Sequence, residues 1–313
     1  MKHIADFKED DKISEHYLCK QKQSLKSRSG KTYLSLRLQD KTGTIEGKVW
    51  ELNHDIQNFE SGDVIKIDAI VLTYQNELQL KINKIRKSAE GEYAPMDYIP
   101  CTHKDIDQLY AQTVEIIKSV TNCYILQLLE NIFINDEDIL GRFKNHSAAK
   151  NFHHSYMGGL IEHTLSVTQI CLFLSSHYPM VNRDVLLAGA MLHDIGKVYE
   201  LSSFPENDYT DDGQLMGHIV IGSDMVSKQA RLIHGFPHAL ESAIKHCILA
   251  HHGEYEYGSP IRPKTLEAYI LHCADNMDAK VKAFEEALES DSGQRLWVGY
   301  QKMLGQNIRR SVY

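Results

Sequence analysis

The 313-residue chain is poor in the residues that mark small secreted, fibrous or membrane-spanning proteins. Its six cysteines, at 19, 101, 123, 171, 247 and 273, are scattered and form no Cys-x-x-Cys pair. That argues against a disulfide framework or a thiolate zinc site and for reduced thiols in a cytoplasm. Seven prolines and 19 glycines are too dispersed to make a low-complexity tract. No apolar run approaches the roughly 18 residues that a transmembrane helix needs. The opening MKHIADFKEDDKISEHYL is acidic and lacks an apolar core, so it is not a secretory signal. What remains, 42% hydrophobic and 24% charged, suits a soluble chain long enough for two modest domains.

Charge and histidine are unevenly spread. Residues 1–88 hold 16 Lys+Arg against 13 Asp+Glu, and the remainder holds 18 against 29, within a net charge of -8. An acidic body still admits a nucleic-acid substrate where a local basic face or a metal supplies the positive field. Of 17 histidines, 14 fall between His103 and His272, and histidine is the commonest side-chain metal ligand.

The first 88 residues have the period of two expected of strands. Leu34, Leu36 and Leu38 alternate with Tyr33, Ser35 and Arg37, then Asp40-Lys41-Thr42-Gly43 signals a turn. Ile45, Gly47 and Val49 follow, then runs over 64–74 and 78–85, with 13–21 as a first strand. Five short strands in about 75 residues fit a small barrel. Residues 89–102, with two prolines and few core residues, look like a linker. From 103 onward the apolar spacing is helical, with Ile106, Leu109, Tyr110 and Val114 as an example. It continues to about Tyr300, broken only by a loop or small hairpin at 201–217. Leu296, Trp297, Tyr300 and Leu304 stand at helical spacing and hint at self-association; Arg309 and Arg310 beyond them would touch RNA or be solvated.

The helical region carries the chemistry. MLHDIGK sets His193 and Asp194 side by side at the end of an apolar run, a nitrogen and a carboxylate for one metal, with a second carboxylate oxygen free to bridge to another. Gly196 permits a close turn, and Lys197 is placed to meet an anion. His163 lies upstream in HHSYMGGLIEHTLSV, His218 in GQLMGHIVIG, His251 and His252 in ILAHHGEYEYG, and Asp275 in YILHCADNMDAK. Asp278 on that last helix reads as an outer carboxylate. His234, His238, His246 and His272 read as structural, and His153 and His154 stand close enough to face the same cleft.

The order H … HD … H … HH … D over about 150–280 resembles the HD-domain metal-dependent phosphohydrolase superfamily, in its version with two metals. The resemblance implies that His163, His193, Asp194 and Asp275 ligate the first ion. Asp194 then bridges to a second ion on His218, His251 and His252. Neighbouring helical residues point about 100° apart, which leaves open whether both His251 and His252 ligate. Such a mixed nitrogen and oxygen set suits Mn, Fe, Co or Zn better than Mg, with Mn favoured. Two cations about 3.5–4 Å apart can clamp both oxygens of a phosphoryl transfer, and Lys197 would neutralise charge on the phosphate.

YLSLRLQDKTGTIEGKVW resembles strand 2, turn and strand 3 of an OB-fold. Parity puts Tyr33, Arg37, Lys48 and Trp50 on the outward face, which in OB-folds binds single-stranded nucleic acid; Lys81 extends it. Arg262, in GSPIRPK after the histidine pair, is a candidate phosphate contact. The expected architecture is therefore a five-stranded OB barrel (1–88), a linker (89–102) and an all-α HD domain (103–313). That combination resembles the YhaM-type 3'-5' exoribonucleases of Gram-positive bacteria. The implied activity is cytoplasmic, metal-dependent hydrolysis of single-stranded RNA, or DNA, to nucleoside 5'-monophosphates. The rivals are a phosphohydrolase of a small nucleotide, such as a cyclic dinucleotide or guanosine polyphosphate, and a non-catalytic single-strand binder. The GYP triad of cyclic-diguanylate hydrolases is absent after His252, and the complete ligand set argues against a relic.

Overall fold

The computed structural model describes residues 2–27, 30–74, 77–89, 91–94, 97–150, 156–204, 206–290, 296–301 and 304–311. His153 and His154 lie outside the described residues. Two compact units part between Cys101 and Thr102.

The first unit is a closed barrel of β1 (Lys12–Lys26), β2 (Thr32–Asp40), β3 (Gly43–Val49), β4 (Val64–Tyr74) and β5 (Glu77–Lys87), in the order β1-β2-β3-β5-β4. Only β3 and β5 run parallel. This is the OB-fold order expected from the sequence. A bulge between Cys19 and Gln21 bends the 15-residue β1. Its first half can then pair with β4 while its second half pairs with β2.

Between β2 and β3 the carboxylate of Asp40 makes the turn. Its Oδ1 accepts from the backbone N–H of Thr42 (2.7 Å) and Gly43 (3.1 Å). The alternating Leu34, Leu36, Leu38, Ile45 and Val49 all point into the core as their parity predicts. Each fully buried leucine contributes about 1.5–3 kcal/mol. Residues 89–101, linker-like in composition, cluster with the barrel. Tyr98 is 3% exposed and packs on Leu18 and Val64, and its carbonyl accepts from Gln39 Nε2 at 3.1 Å.

The second unit is helical: α1 (Ile106–Lys118), α2 (Cys123–Phe133), α3 (Glu137–Asn145), α4 (Gly159–His177), α5 (Arg183–Leu192), α6 (Lys197–Glu200), α7 (Asp211–Leu232), α8 (His238–Ala250) and α9 (Leu266–Ser290). Asp105, Asn122, Asp136, Asn182 and Thr210 cap α1, α2, α3, α5 and α7 with side-chain oxygens. Helix α5 is buried from Asp184 to Leu192 and packs against α4, α8 and α9. Among the described residues no helix is long and apolar enough to cross a membrane.

Two expectations are corrected. The helical pattern does not run to Tyr300. Helix α9 ends at Ser290, and the unit closes with an antiparallel pair, β6 (Trp297–Gln301) and β7 (Gln306–Arg309). Gly299 and Gly305 have φ of 100° and 65°, outside the helical region, and a Trp-Val-Gly-Tyr run favours strand. The supposed helical stripe of Leu296, Trp297, Tyr300 and Leu304 is thus not a helix face, and the self-association read from it loses its basis. The loop expected over 201–217 is also shorter. A bridge joins Leu201 to Tyr209, and α7 begins at Asp211 with Asp211 and Asp212 favourably placed at its N-terminus.

His146, the C-cap of α3, is 3% exposed, and neither ring nitrogen has a hydrogen-bond partner among the described residues. Burial, with repulsion from Arg142, pushes its imidazole down to about 4. In an unfolded chain histidine titrates near 6.5, so the unfolded state takes a proton that the native state refuses. This contribution is complete above pH ~6.5 and is lost as pH falls toward 4, reaching about 2 kcal/mol at pH 5. His146→Leu is expected to shrink the fall in Tm between pH 7 and pH 5 by about 5 °C. Parallel melting curves of variant and wild type at the two pH values would refute this.

Candidate metal centre and nucleic-acid interface

Helix α5 delivers His193 as its C-cap, followed directly by Asp194, and Asp194 is 2% exposed. Around Asp194 Oδ2 stand His193 Nε2 (3.4 Å) and His163 Nε2 (3.5 Å), the latter from α4. Asp275 of α9 brings Oδ1 to 3.2 Å from His163 Nε2 and 3.9 Å from His193 Nε2. On the other side, Asp194 Oδ1 faces His218 Nε2 (3.5 Å) and His251 Nε2 (3.8 Å). His252 joins them, with donor atoms of His218, His251 and His252 all within 4.8 Å of one another. Seven residues singled out from sequence spacing therefore converge, in two groups that share one carboxylate.

Each histidine is held by its other ring nitrogen. His193 Nδ1 pairs with Ala190 O (2.8 Å) and His251 Nδ1 with Ile248 O (2.7 Å), two carbonyls in last helical turns. His252 Nδ1 pairs with Tyr257 O (2.8 Å), His163 Nδ1 with Asp278 Oδ2 (2.8 Å), and His218 Nδ1 with Glu200 Oε1 (2.9 Å). All five partners are acceptors, so Nδ1 carries the proton in the neutral imidazole and Nε2 presents its lone pair to the centre.

Glycine makes the convergence possible. Gly217, with φ 73°, breaks α7 so that a helical segment restarts at His218, whose backbone N–H donates to Glu200 Oε1 at 2.9 Å. A Cβ on Gly196 would lie 2.0 Å from the carbonyl oxygen of His218, so only glycine lets α7 approach Asp194 this closely.

Burial alone would raise the Asp194 carboxyl, but Lys197, with Nζ 2.6 Å from Oδ2, and the surrounding imidazoles hold it well below its ordinary value. Burial likewise opposes ionisation of Asp275, and His163 and its neighbours keep its pKa low. Burial would lower His163, yet Asp275 and Asp278 hold it up at about 10, so a cation there takes the place of its Nε2 proton. His251 and His252 are pushed down by burial and by neighbouring imidazoles, which leaves them neutral donors.

The residues fit divalent cations. Asp194 Oδ1, His218 Nε2 and His251 Nε2 are buried without a hydrogen-bond partner among the described residues. Each such orphan costs about 1–3 kcal/mol, and three lone pairs aimed at one point are what a cation would satisfy. Imidazole and carboxylate together suit first-row transition ions better than Mg.

On the barrel, Tyr33 and Trp50 stack with ring centroids 4.6 Å apart and planes at 26°. They line a cleft of about 810 Å³ with Arg37 and Lys48. Lys48 is steadied by Ser35 Oγ (2.7 Å) and Glu46 (3.0 Å), and Arg37 donates to Thr44 Oγ1 at 3.3 Å. Lys81 sits beside Lys48 in the β3–β5 register but lines a neighbouring concavity, which it shares with Trp50. Arg262 pairs with Glu254 Oε2 (2.6 Å) and covers the Tyr255 ring.

Sequence reasoning missed Tyr74 and Leu78, exposed and lining the same cleft from the ends of β4 and β5. An aromatic at a turn was their one available signal. It also missed Glu200, which has no periodicity or motif to mark it.

Glu200 and Asp278 each orient one histidine of a different group. Glu200→Gln and Asp278→Asn are each expected to weaken binding of a divalent transition ion by 10–100-fold. Titration calorimetry on metal-stripped protein should show one class of site affected by each variant. Unchanged affinity in both would remove the orienting role.

Two family models match the chain: an HD domain over residues 160–280 and an OB-fold nucleic acid binding domain over residues 19–87. A 3'-5' exoribonuclease YhaM from a Geobacillus strain is 34% identical over 298 residues, covering 92% of this chain and 88% of that one. Among solved structures, the second OB-fold domain of replication protein A from Methanococcus maripaludis is 19% identical. It covers 30% of this chain and 96% of that one, with a TM-score of 0.23. The HD domain of the Listeria monocytogenes phosphodiesterase PgpH is 16% identical, covering 56% of this chain and 78% of that one, with a TM-score of 0.24. The 34% identity to the Geobacillus relative over 92% of this chain, with an OB-fold model and an HD model matching this chain, establishes that it belongs to the YhaM family of 3'-5' exoribonucleases.

Proposed function

We propose that this chain removes nucleotides one at a time from the 3' end of single-stranded RNA, or DNA, and releases nucleoside 5'-monophosphates. The observation that carries the reading is Asp194, buried with one oxygen in each of two ligand groups. His163, His193, Asp194 and Asp275 would hold one ion, and Asp194, His218, His251 and His252 a second, with Mn the favoured metal. Such ions supply Lewis-acid activation of water and charge stabilisation at phosphorus.

The chain's own groups do the rest. Lys197 Nζ, anchored 2.6 Å from Asp194, sets a positive charge where the phosphate gathers negative charge in the transition state. Burial of His163, His193, Asp194 and His251 strengthens each of these charges. The stacked Tyr33 and Trp50 offer a platform for a base, and Arg37 and Lys48 meet the backbone phosphates. Arg262 serves as a further phosphate contact beside the histidine pair once it exchanges Glu254 for substrate. Six free cysteines suit work in the cytoplasm.

The test is incubation of Mn-loaded protein with 5'-labelled single-stranded RNA, resolved at single-nucleotide spacing. A ladder shortening stepwise, with nucleoside 5'-monophosphate accumulating, is expected. Asp194→Asn should lower turnover by at least 10³-fold, in the range lost when charge stabilisation at the reacting centre is removed. RNA affinity should stay within threefold. A variant that still makes the ladder would sink the site assignment, and an intact band with metal-loaded wild type would sink the activity.

A further inference from the structure

The cleft beneath Tyr33 and Trp50 does not end at Trp50. That residue also borders a second concavity of about 360 Å³, which holds Lys81 and Lys84. This concavity shares Lys84 and Asp55 with a third, of about 350 Å³, which reaches Lys66 and Arg86 on the far side of β5. Trp50 thus joins the first to the second, and Asp55 and Lys84 join the second to the third, so the three succeed one another from the β2–β3 face around the barrel.

A local irregularity in β5 creates the track. Strict alternation after Leu80 and Ile82 would turn Lys84 into the core. The register of β5 against β4 instead slips between Asp68 and Ala69, with Ala69 opposite Ile82 and Asp68 opposite Lys84. Asn83 is the extra residue. Asn83 and Lys84 are consequently both exposed, while Ile85 returns to the core at 1%. Bulges re-aim side chains in this way, and this one adds Lys84 to the outward face of Lys81.

The charges on the track are also available. Arg86 is held bidentately by Glu92, at 2.6 and 2.8 Å. Lys66, Lys81 and Lys84, by contrast, form no ion pair with any described residue. The acids on the same walls are Glu51, Asp55 and Asp68. Asp68 accepts the Ser14 hydroxyl at 2.6 Å, and Asp55 lies 3.8 Å from His54.

We propose that this groove is a phosphate track: a single strand stacked at Tyr33 and Trp50 turns at Trp50, and its following phosphates lie against Lys81, Lys84 and Lys66. The inference rests on the reading that the barrel binds single-stranded RNA, and extends it from the β2–β3 face to the β4–β5 side. One OB-fold occupies about 4–16 nucleotides, and the track assigns this barrel to the longer end.

The experiment uses full-length protein in an Asp194→Asn background, so that RNA is not consumed, and fluorescence anisotropy with labelled single-stranded RNA of 5 and 15 nucleotides. Lys66→Glu with Lys84→Glu is expected to lower 15-mer affinity at least tenfold and leave 5-mer affinity within twofold. The slope of log affinity against log salt for the 15-mer should fall by about 1.4, two phosphate contacts at about 0.7 each. Lys66→Gln with Lys84→Gln should give a smaller loss of the same pattern, and Tyr33→Ala with Trp50→Ala should weaken both lengths. Unchanged 15-mer affinity, or equal loss on both lengths, would overturn the track while leaving the β2–β3 interface standing. If the parent protein binds neither RNA, the nucleic-acid reading of the barrel falls and the track falls with it.

Discussion

The two oxygens of Asp194 face different groups of donors, and the helical unit is organised around that division. A carboxylate this deeply buried is costly unless charge or hydrogen bonds compensate it. Here Lys197 and the imidazoles of His163 and His193 surround Oδ2, and the imidazoles of His218 and His251 approach Oδ1. Helix α5 can place this group at the centre because every residue from Asp184 to Leu192 is buried among the helices around it. A buried helix thus ends in a polar pair, and the polar pair is itself buried.

Helix termini do a second job at the same place. The last carbonyls of a helix lack intrahelical donors, and an imidazole in neutral form has one N–H to give. His193 and His251 join these needs, each donating from Nδ1 to the carbonyl three residues earlier. Where no helix end is at hand, carboxylates take that role: Asp278 for His163 and Glu200 for His218. Glu200 also accepts the backbone N–H of His218, which leaves the break at Gly217 with its polar groups satisfied.

The barrel obeys a different constraint. A strand has two faces, so parity alone sends the leucines of β2 inward and Tyr33 and Arg37 outward. The register slips in β1 at Cys19/Gln21 and in β5 opposite Asp68/Ala69, and parity is broken there. The first slip lets one strand serve two neighbours; the second turns a lysine out of the core. The strand that lies alongside decides how each bulge is accommodated.

Much of this is legible in the sequence. The alternation in 32–49 specified two strands and their core face, because burial on one side requires a period of two. The spacing H … HD … H … HH … D specified a metal centre, because few other functions need those donors together. Three things belonged to tertiary structure alone. Which oxygen of Asp194 faces which group depends on how α4, α7, α8 and α9 pack around α5. The convergence of His251 with His252 depends on α8 ending at Ala250 with His251 as its C-cap, which frees the His252 ring from helical geometry. The closing hairpin replaced an expected helix because positive φ at Gly299 and Gly305 outweighed a chance spacing of apolar residues. Local pattern determines what a segment can bury, and only the neighbours in space decide where its polar atoms point.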